Sequence, residues 1–482
     1  MIDTAEIQAV IRGFNPWWMN KPLDIPEFRR LGFFACRRLL HTPGLKRAIL
    51  LSGPRRVGKT TILEQLAASL LQDDQALPAS ILYLSLDHPL LKLMSLARIL
   101  KMYHETVHPA GQPTTLLLDE IQYAGDWDLE LKQLVDHHPE YRIIATGSAT
   151  VLHKDKLSES GVGRWITVPI PTLNFYEFIQ IRSESSDLGG PAPKPSDLLQ
   201  AGSHELANLA ERLRPLMPAF QRYLLVGGFP ETARAPDLAL SQRILREDVV
   251  ERVLKRDMTA IFGIRRVAEL ERLFIYLCLH SGDIFSPKTC ADVLEVGSPQ
   301  TVRNHLGFLE QAHLIYRLDP EKLTGKAVLR SRPKIYLADA ALGNAVLLRS
   351  EEILSDTDQM GKIVETTVLR HLYAYYYRDT PRIGYWRDNK TDREVDIIVR
   401  SPAYVLPVEV KYRSRADIPT NCGMATFCAA EPVKQAFWIT QRPEDFEVQK
   451  VPECDTQILR IPGYIFCYLL GQAERSLWDG VE

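Results

Sequence analysis

The chain has 482 residues, with 58 Lys+Arg against 60 Asp+Glu and a formal net charge of −2, so bulk charge does not advertise a nucleic-acid partner, although a local basic face stays open. Seven scattered cysteines, with no Cys/His cluster at zinc-finger spacing, exclude a zinc-finger or disulfide framework and read as reduced thiols. The opening MIDTAEIQAV is acidic where a signal peptide is basic, and no stretch approaches a membrane span, so a cytoplasmic protein of roughly three domains without a membrane partner is expected.

Residues 1–48 hold the paired Trp17 and Trp18 in FNPWWMNKP, then a basic amphipathic stretch with Arg29, Arg30, Arg37 and Arg38. This stretch reads as a helix packed on the following domain, its arginines solvated. AILLS then leads into GPRRVGKT, a full match to the phosphate-loop pattern, and an amphipathic helix follows with Ile62, Leu63, Leu66 and Leu70. Strand, turn and helix are the context this pattern requires. Gly53, Pro54, Arg55, Arg56, Val57, Gly58, Lys59, Thr60 and Thr61 are the expected nucleotide-binding residues. The glycines let the backbone wrap phosphate, Lys59 is expected to reach the β- and γ-phosphates, and Thr60 to hold Mg²⁺.

ILYLSLD is the next strand, and TTLLLDEIQ supplies the acidic strand end. Asp119 is expected at the metal and Glu120 as the group that activates water, because metal and hydrolysis need separate acceptors. WDLELKQLVDHHP reads as a helix with Leu129, Leu134 and Val135 inward. YRIIATGSAT ends a further strand, where Ser148 either senses the γ-phosphate or caps a turn. Arg164 is either an arginine finger, within the chain or across a homo-oligomer, or a solvated side chain. The alternation from Ala48 to about Ile170 predicts a three-layer α/β domain with a mainly parallel sheet.

SESSDLGGPAPKPSD is polar and Gly/Pro-rich and reads as a linker. Residues 204–280 read as mostly helical. Residues 286–317 give two helices and a strand in a winged-helix pattern, with Val302, Leu306 and Leu309 inward and Gln300, Thr301, Arg303, Asn304 and His305 outward. DNA or RNA contact by this module stands against a protein-pairing role.

The last third gives strand and helix at KIYLADAALGNAV, a long helix at GKIVETTVLRHLYAYYY, and strands at EVDIIV and VLPVEVKYR. Asp396, Glu409 and Lys411, with Glu365 on the preceding helix, form a constellation in which two carboxylates can hold a divalent metal and a lysine can position water. The alternative is a buried Asp396–Lys411 or Glu409–Lys411 pair that stabilises a sheet.

NPWW, GPRRVGKT, LLLDEIQ, ATGSAT, TLNFYEF, LLVGGFPE, Arg256–Asp257, the winged-helix pattern, and EVDIIV followed by VEVKYR together resemble a prokaryotic family of AAA-related P-loop ATPases fused to a C-terminal region of unassigned function. The resemblance spans nearly the whole chain. It implies an AAA-like P-loop domain with an N-terminal helical extension at 1–182, a linker at 183–203, a helical region at 204–280, a winged helix at 281–331 and a restriction-endonuclease-like α/β domain at 332–482. It places Glu365, Asp396, Glu409 and Lys411 at the nuclease signature. The function expected is a Mg²⁺-dependent ATPase coupled to nucleic-acid binding or phosphodiester cleavage. Its alternative is an ATP-dependent switch that keeps the nuclease-like domain as a scaffold.

Overall fold

The computed structural model describes residues 4–147, 163–183, 193–259, 263–264, 266–321, 332–379, 381–388, 390–415 and 417–479. Two compact units are present, Met1–Pro171 and Thr172–Glu482.

In the first unit the apolar runs form five parallel strands: β1 (Ala48–Ser52), β2 (Ile81–Ser85), β3 (Thr114–Asp119), β4 (Tyr141–Gly147) and β5 (Trp165–Pro169), in the order β2-β3-β4-β1-β5. Helices α1 (Thr4–Phe14), α2 (Leu31–Leu40), α3 (Lys59–Gln72), α4 (Leu96–Thr106) and α5 (Trp127–His137) cover them, which gives the three-layer α/β fold. On one side Leu50, Leu84 and Leu118 pack with Ile7 of α1, Ile99 of α4 and Leu131 of α5. In α3, Ile62, Leu63, Leu66 and Leu70 are all buried, as their spacing predicts. The phase of α5 differs from the sequence reading. Leu134 is buried and Val135 packs partly buried against the core as that reading has it, but Leu129 is 50% exposed and Leu131 faces inward instead.

The N-terminal segment closes a sheet edge. β2 is an outer strand, and its free backbone groups need partners. The Asn15 amide nitrogen donates to Tyr83 O at 2.9 Å, and its oxygen accepts from Tyr83 N at 2.7 Å. The indole nitrogens of Trp17 and Trp18 both donate to Ile81 O, at 3.1 and 3.0 Å. The expectation of solvated arginines fails at Arg30. It is buried and donates to Val57 O in the phosphate loop at 2.7 Å.

The second unit holds a mixed eight-stranded sheet, order β12-β13-β11-β10-β9-β8-β6-β7. Its strands are β6 (Ile315–Pro320), β7 (Lys334–Leu337), β8 (Arg382–Arg387), β9 (Glu394–Arg400), β10 (Val405–Val410), β11 (Gln435–Thr440), β12 (Glu447–Lys450) and β13 (Gln457–Pro462). Helices dominate from Ser203 to Leu279, as expected. The helices Pro287–Leu294 and Pro299–Gln311 lead into β6, which pairs antiparallel with β7 and parallel with β8 and so joins the large sheet. Val302, Leu306 and Leu309 face inward, but His305 is buried with them rather than exposed, and burial lowers its pKa. The long helix Thr357–Tyr376 buries Ile363, Val364, Val368, Leu369 and Leu372, and Thr366, Thr367, Arg370 and His371 with them, so its middle is enclosed nearly all round. All seven cysteines carry free thiols. Among the described residues no helix is long and apolar enough to cross a membrane.

Candidate functional site

The loop after β1 runs straight into α3, whose first residue is Lys59 and whose N-cap is Gly58. Two residues in it take the left-handed conformation, Arg56 at φ 61° and Gly58 at φ 91°. Gly53 is required by packing: a Cβ there would lie 2.0 Å from Ile170 O at the end of β5. The helix N-terminus and the loop backbone together make an anion-favouring concavity. Lys59, 6% exposed, donates from Nζ to Gly53 O at 2.9 Å and Pro54 O at 2.8 Å.

β4 lies between β1 and β3, and Thr146 near its end bridges the acidic pair. Its hydroxyl donates to Asp119 Oδ1 and accepts from the Glu120 backbone N–H at 2.9 Å. Asp119 is buried and also accepts from Thr60 Oγ1 at 2.8 Å and Tyr83 OH at 3.1 Å. Glu120 stands at φ 52°, a strained conformation for a non-glycine residue, and its carboxylate accepts from Gln122. A hydroxyl and a carboxylate oxygen in contact at a helix start form a hard-oxygen donor pair that fits Mg²⁺. Burial raises the pKa of Glu64, and the charge of Asp119 adds to the rise. Tyr83 is a contributor that the sequence reading passed over; Thr146 lies on the strand end where that reading chose Ser148, and Arg30 is the arginine it took as solvated. Ser148, its choice on this strand end, lies outside the described residues. Arg164 donates from Nε to both carboxylate oxygens of Asp136, at 2.9 and 3.0 Å. The side chains of Arg256 and Asp257 lie outside the described residues.

In the second unit the structure brings Glu365, Asp396, Glu409 and Lys411 together, and adds Lys334 and Tyr336 from β7 and Glu394 from β9. Alternation along β9 puts Glu394 and Asp396 on one face. Lys334 is 3% exposed and its Nζ pairs with Glu394, with Glu365 at 3.4 Å and with Asp396 at 3.7 Å. Tyr336 donates to Glu365 at 2.5 Å. Lys411 pairs with Glu409 and lies 3.9 Å from Asp396 Oδ2, which also accepts from Val410 N at 2.9 Å. Burial pulls the Lys334 ammonium down, but Tyr336, Glu365, Asp396 and Glu394 more than reverse this, so it stays protonated. Lys411 is likewise held above its ordinary range by Asp396 and Glu409 against the opposing effect of burial. Two internal ammonium groups thus already sit among the four carboxyls and offset part of their charge, and this donor set does not fit a divalent cation. Among the described residues no group of three or more His, Cys, Asp or Glu is arranged to hold a metal.

Burial, with the charge of Asp396 adding to it, pushes Glu365 up to about 7 and Glu409 up to about 8, from 4.5. The folded chain therefore keeps protons that the unfolded chain has released. This contribution to stability is complete below about 4.5 and is lost as pH rises through 7 and 8. The two groups titrate as a pair, each worth at most about 1.4 kcal/mol per unit of pKa difference. Glu409→Gln is expected to flatten the fall in Tm across this window. Parallel Tm–pH curves for variant and wild type would remove the assignment.

Residues 45–179 match a family described as an AAA domain. Residues 217–353 and 360–462 match two domains of unknown function, DUF8612 and DUF4143. The chain is 27% identical over 338 residues to the uncharacterized protein MJ1637 of Methanocaldococcus jannaschii, covering 68% of each chain. It is 24% identical over 378 residues to an uncharacterized protein of Haemophilus influenzae, covering 77% of this chain and 83% of that one. Among solved structures, the Walker-type ATPase PABY2304 of Pyrococcus abyssi aligns over 68% of this chain and 99% of that one, at 17% identity and a TM-score of 0.36. The AAA match coincides with the parallel sheet, the phosphate-loop pattern and the acidic strand end, and the N-terminal part of this chain is an AAA-type P-loop ATPase domain, built to bind and hydrolyse ATP.

Proposed function

We propose that this chain is an ATP-dependent switch whose C-terminal carboxylate cluster is a scaffold and not a cutting site. Lys334 carries the reading. A buried ammonium already stands among Glu365, Glu394 and Asp396, carboxylates that a metal would otherwise have to be held by. The direct Lys411–Glu409 pair supports it further. On this reading residues 332–482 have a restriction-endonuclease-like fold and residues 281–331 a winged-helix fold, both used for shape. The support for these folds is the order of their elements: two helices and a strand in one, and a long helix followed by the strands bearing Asp396 and Glu409 in the other.

In the ATPase domain, the loop from Gly53 to Thr61 would cradle the phosphates. Lys59 would exchange its two carbonyl partners for phosphate oxygens. Thr60 and Asp119 would hold Mg²⁺, which when bound supplies charge neutralisation on the phosphates. Glu120 would accept the proton of the water that attacks the γ-phosphorus as the bond to the ADP oxygen breaks. Arg164 would have to leave Asp136 to act as a finger.

The test is purified full-length chain with ATP and Mg²⁺, assayed for phosphate release and for cleavage of linear, circular and single-stranded DNA and of RNA, with Mn²⁺ as a second metal. Phosphate release without cleavage is expected. Cleavage that disappears in Asp396→Ala overturns the scaffold, and absence of phosphate release overturns the switch.

A further inference from the structure

A cavity of about 420 Å³ opens in the first unit at the N-terminal ends of β1 and β4. β1 runs from Ala48 into Gly53, and β4 is parallel to it, so this end of the sheet is opposite to the phosphate loop. Lys46 and Arg47, just before β1, and Arg142, the second residue of β4, line the cavity together with His41 and His138. Among the described residues no Asp or Glu lines it.

The acids nearby are already engaged. Asp74 pairs with His41 at 2.8 Å and with Arg37, and Glu140 pairs with His138 at 3.0 Å. Lys46, Arg47 and Arg142 are exposed, and none makes an ion pair with a carboxylate among the described residues. The half-buried Arg37 and Arg164 elsewhere in the unit pair with Asp73 and Asp136, whereas the exposed Arg12 and Arg98 stand singly with no ion pair among the described residues. What sets this place apart is that three such cations share one concavity whose described lining holds no carboxylate, so a negative partner would have to come from outside the fold. Guanidinium groups match phosphate oxygens in pairs, and an ammonium adds a point charge. The floor is apolar, with Leu40 and Ile49, and suits the carbon frame of a phosphorylated ligand.

We propose that this cavity is a second phosphate-binding site, independent of the nucleotide site, in which Lys46, Arg47 and Arg142 hold a phosphate group of a nucleic-acid backbone or of a small phosphorylated compound. The test uses full-length chain saturated with Mg²⁺ and a non-hydrolysable ATP analogue, so that the phosphate loop is occupied. A labelled single-stranded oligonucleotide is titrated by fluorescence anisotropy, and tripolyphosphate by calorimetry. Saturable binding of at least one probe is expected, weakened about tenfold or more in K46Q/R47Q/R142Q, equivalent to about 1.4 kcal/mol. The charge-retaining K46R/R47K/R142K should keep most of it. For the oligonucleotide the log–log salt slope should flatten by about 2, the value for three phosphate contacts on a single strand. Preference for the oligonucleotide identifies a phosphodiester ligand, and binding of tripolyphosphate alone identifies a small one. Failure of both probes to bind, or wild-type affinity in a triple variant whose thermal melt is unchanged, overturns the site. If the triple variant melts early, Arg142→Gln alone carries the test, with a loss of about threefold expected, and unchanged affinity in it is equally fatal.

Discussion

Lys334→Met should unfold the second unit more readily than any other single change in its carboxylate cluster. The side chain is 3% exposed, and its ammonium faces Glu365, Glu394 and Asp396. Removing one partner of a buried ionic group leaves the others uncompensated, which costs about 3–5 kcal/mol. The methylene stem is kept by methionine, so lost packing adds little. Glu365→Gln in the same chain should recover part of the loss, because it removes one of the stranded carboxyls. The measurement is urea unfolding followed by fluorescence, with Trp386 and Trp438 as reporters in this unit. The variant also separates scaffold from latent metal site. With the internal cation gone, Mn²⁺ should raise the Tm of Lys334→Met and leave the wild type unmoved. A loss below about 1 kcal/mol, the size of an exposed pair, would mean that Lys334 is not the counter-ion of the cluster.

Glu120→Gln is expected to lower ATP turnover by about 10²–10⁴-fold, the usual weight of a general base, while ATP binding persists. The amide keeps the volume and removes the proton acceptor. It also keeps an oxygen for Gln122 to donate to, so the strained φ of 52° has no new reason to relax. Lys59→Ala is the contrasting variant. It should lose binding as well as turnover, since Lys59 is the buried cation of the loop. Phosphate release and titration of a fluorescent ATP analogue distinguish the two. Equal losses of binding in both variants would place Glu120 in the structure of the pocket and not in the chemistry.

The nucleotide site was largely legible because its parts are local. Gly53 to Thr61 are consecutive, and Asp119–Glu120 end an apolar strand, so spacing alone reveals them. Thr146 was near at hand in ATGSAT, but nothing in the string distinguishes its hydroxyl from Ser148. Lys334 was invisible for a different reason. It precedes Glu365 and Asp396 by many residues on an unremarkable strand, and only the folded sheet and helix bring it to them. Leu129 and His305 failed on phase. At the start of α5 the inward place given to Leu129 belongs to Leu131, two residues on, and a polar histidine in a helix gives no sign that it is buried.

The family match begins at residue 45, yet the fold begins with α1. A piece cut at the family boundary would lose Asn15, Trp17 and Trp18 and present β2 as an open template for the strand of another molecule. The damage would not stop at solubility. Tyr83, whose backbone Asn15 grips, is also the phenol that holds Asp119. Domain dissection at residue 45 would therefore loosen Asp119, the carboxylate proposed to hold Mg²⁺, from a distance, and a dead fragment would say nothing about whether the whole protein hydrolyses ATP.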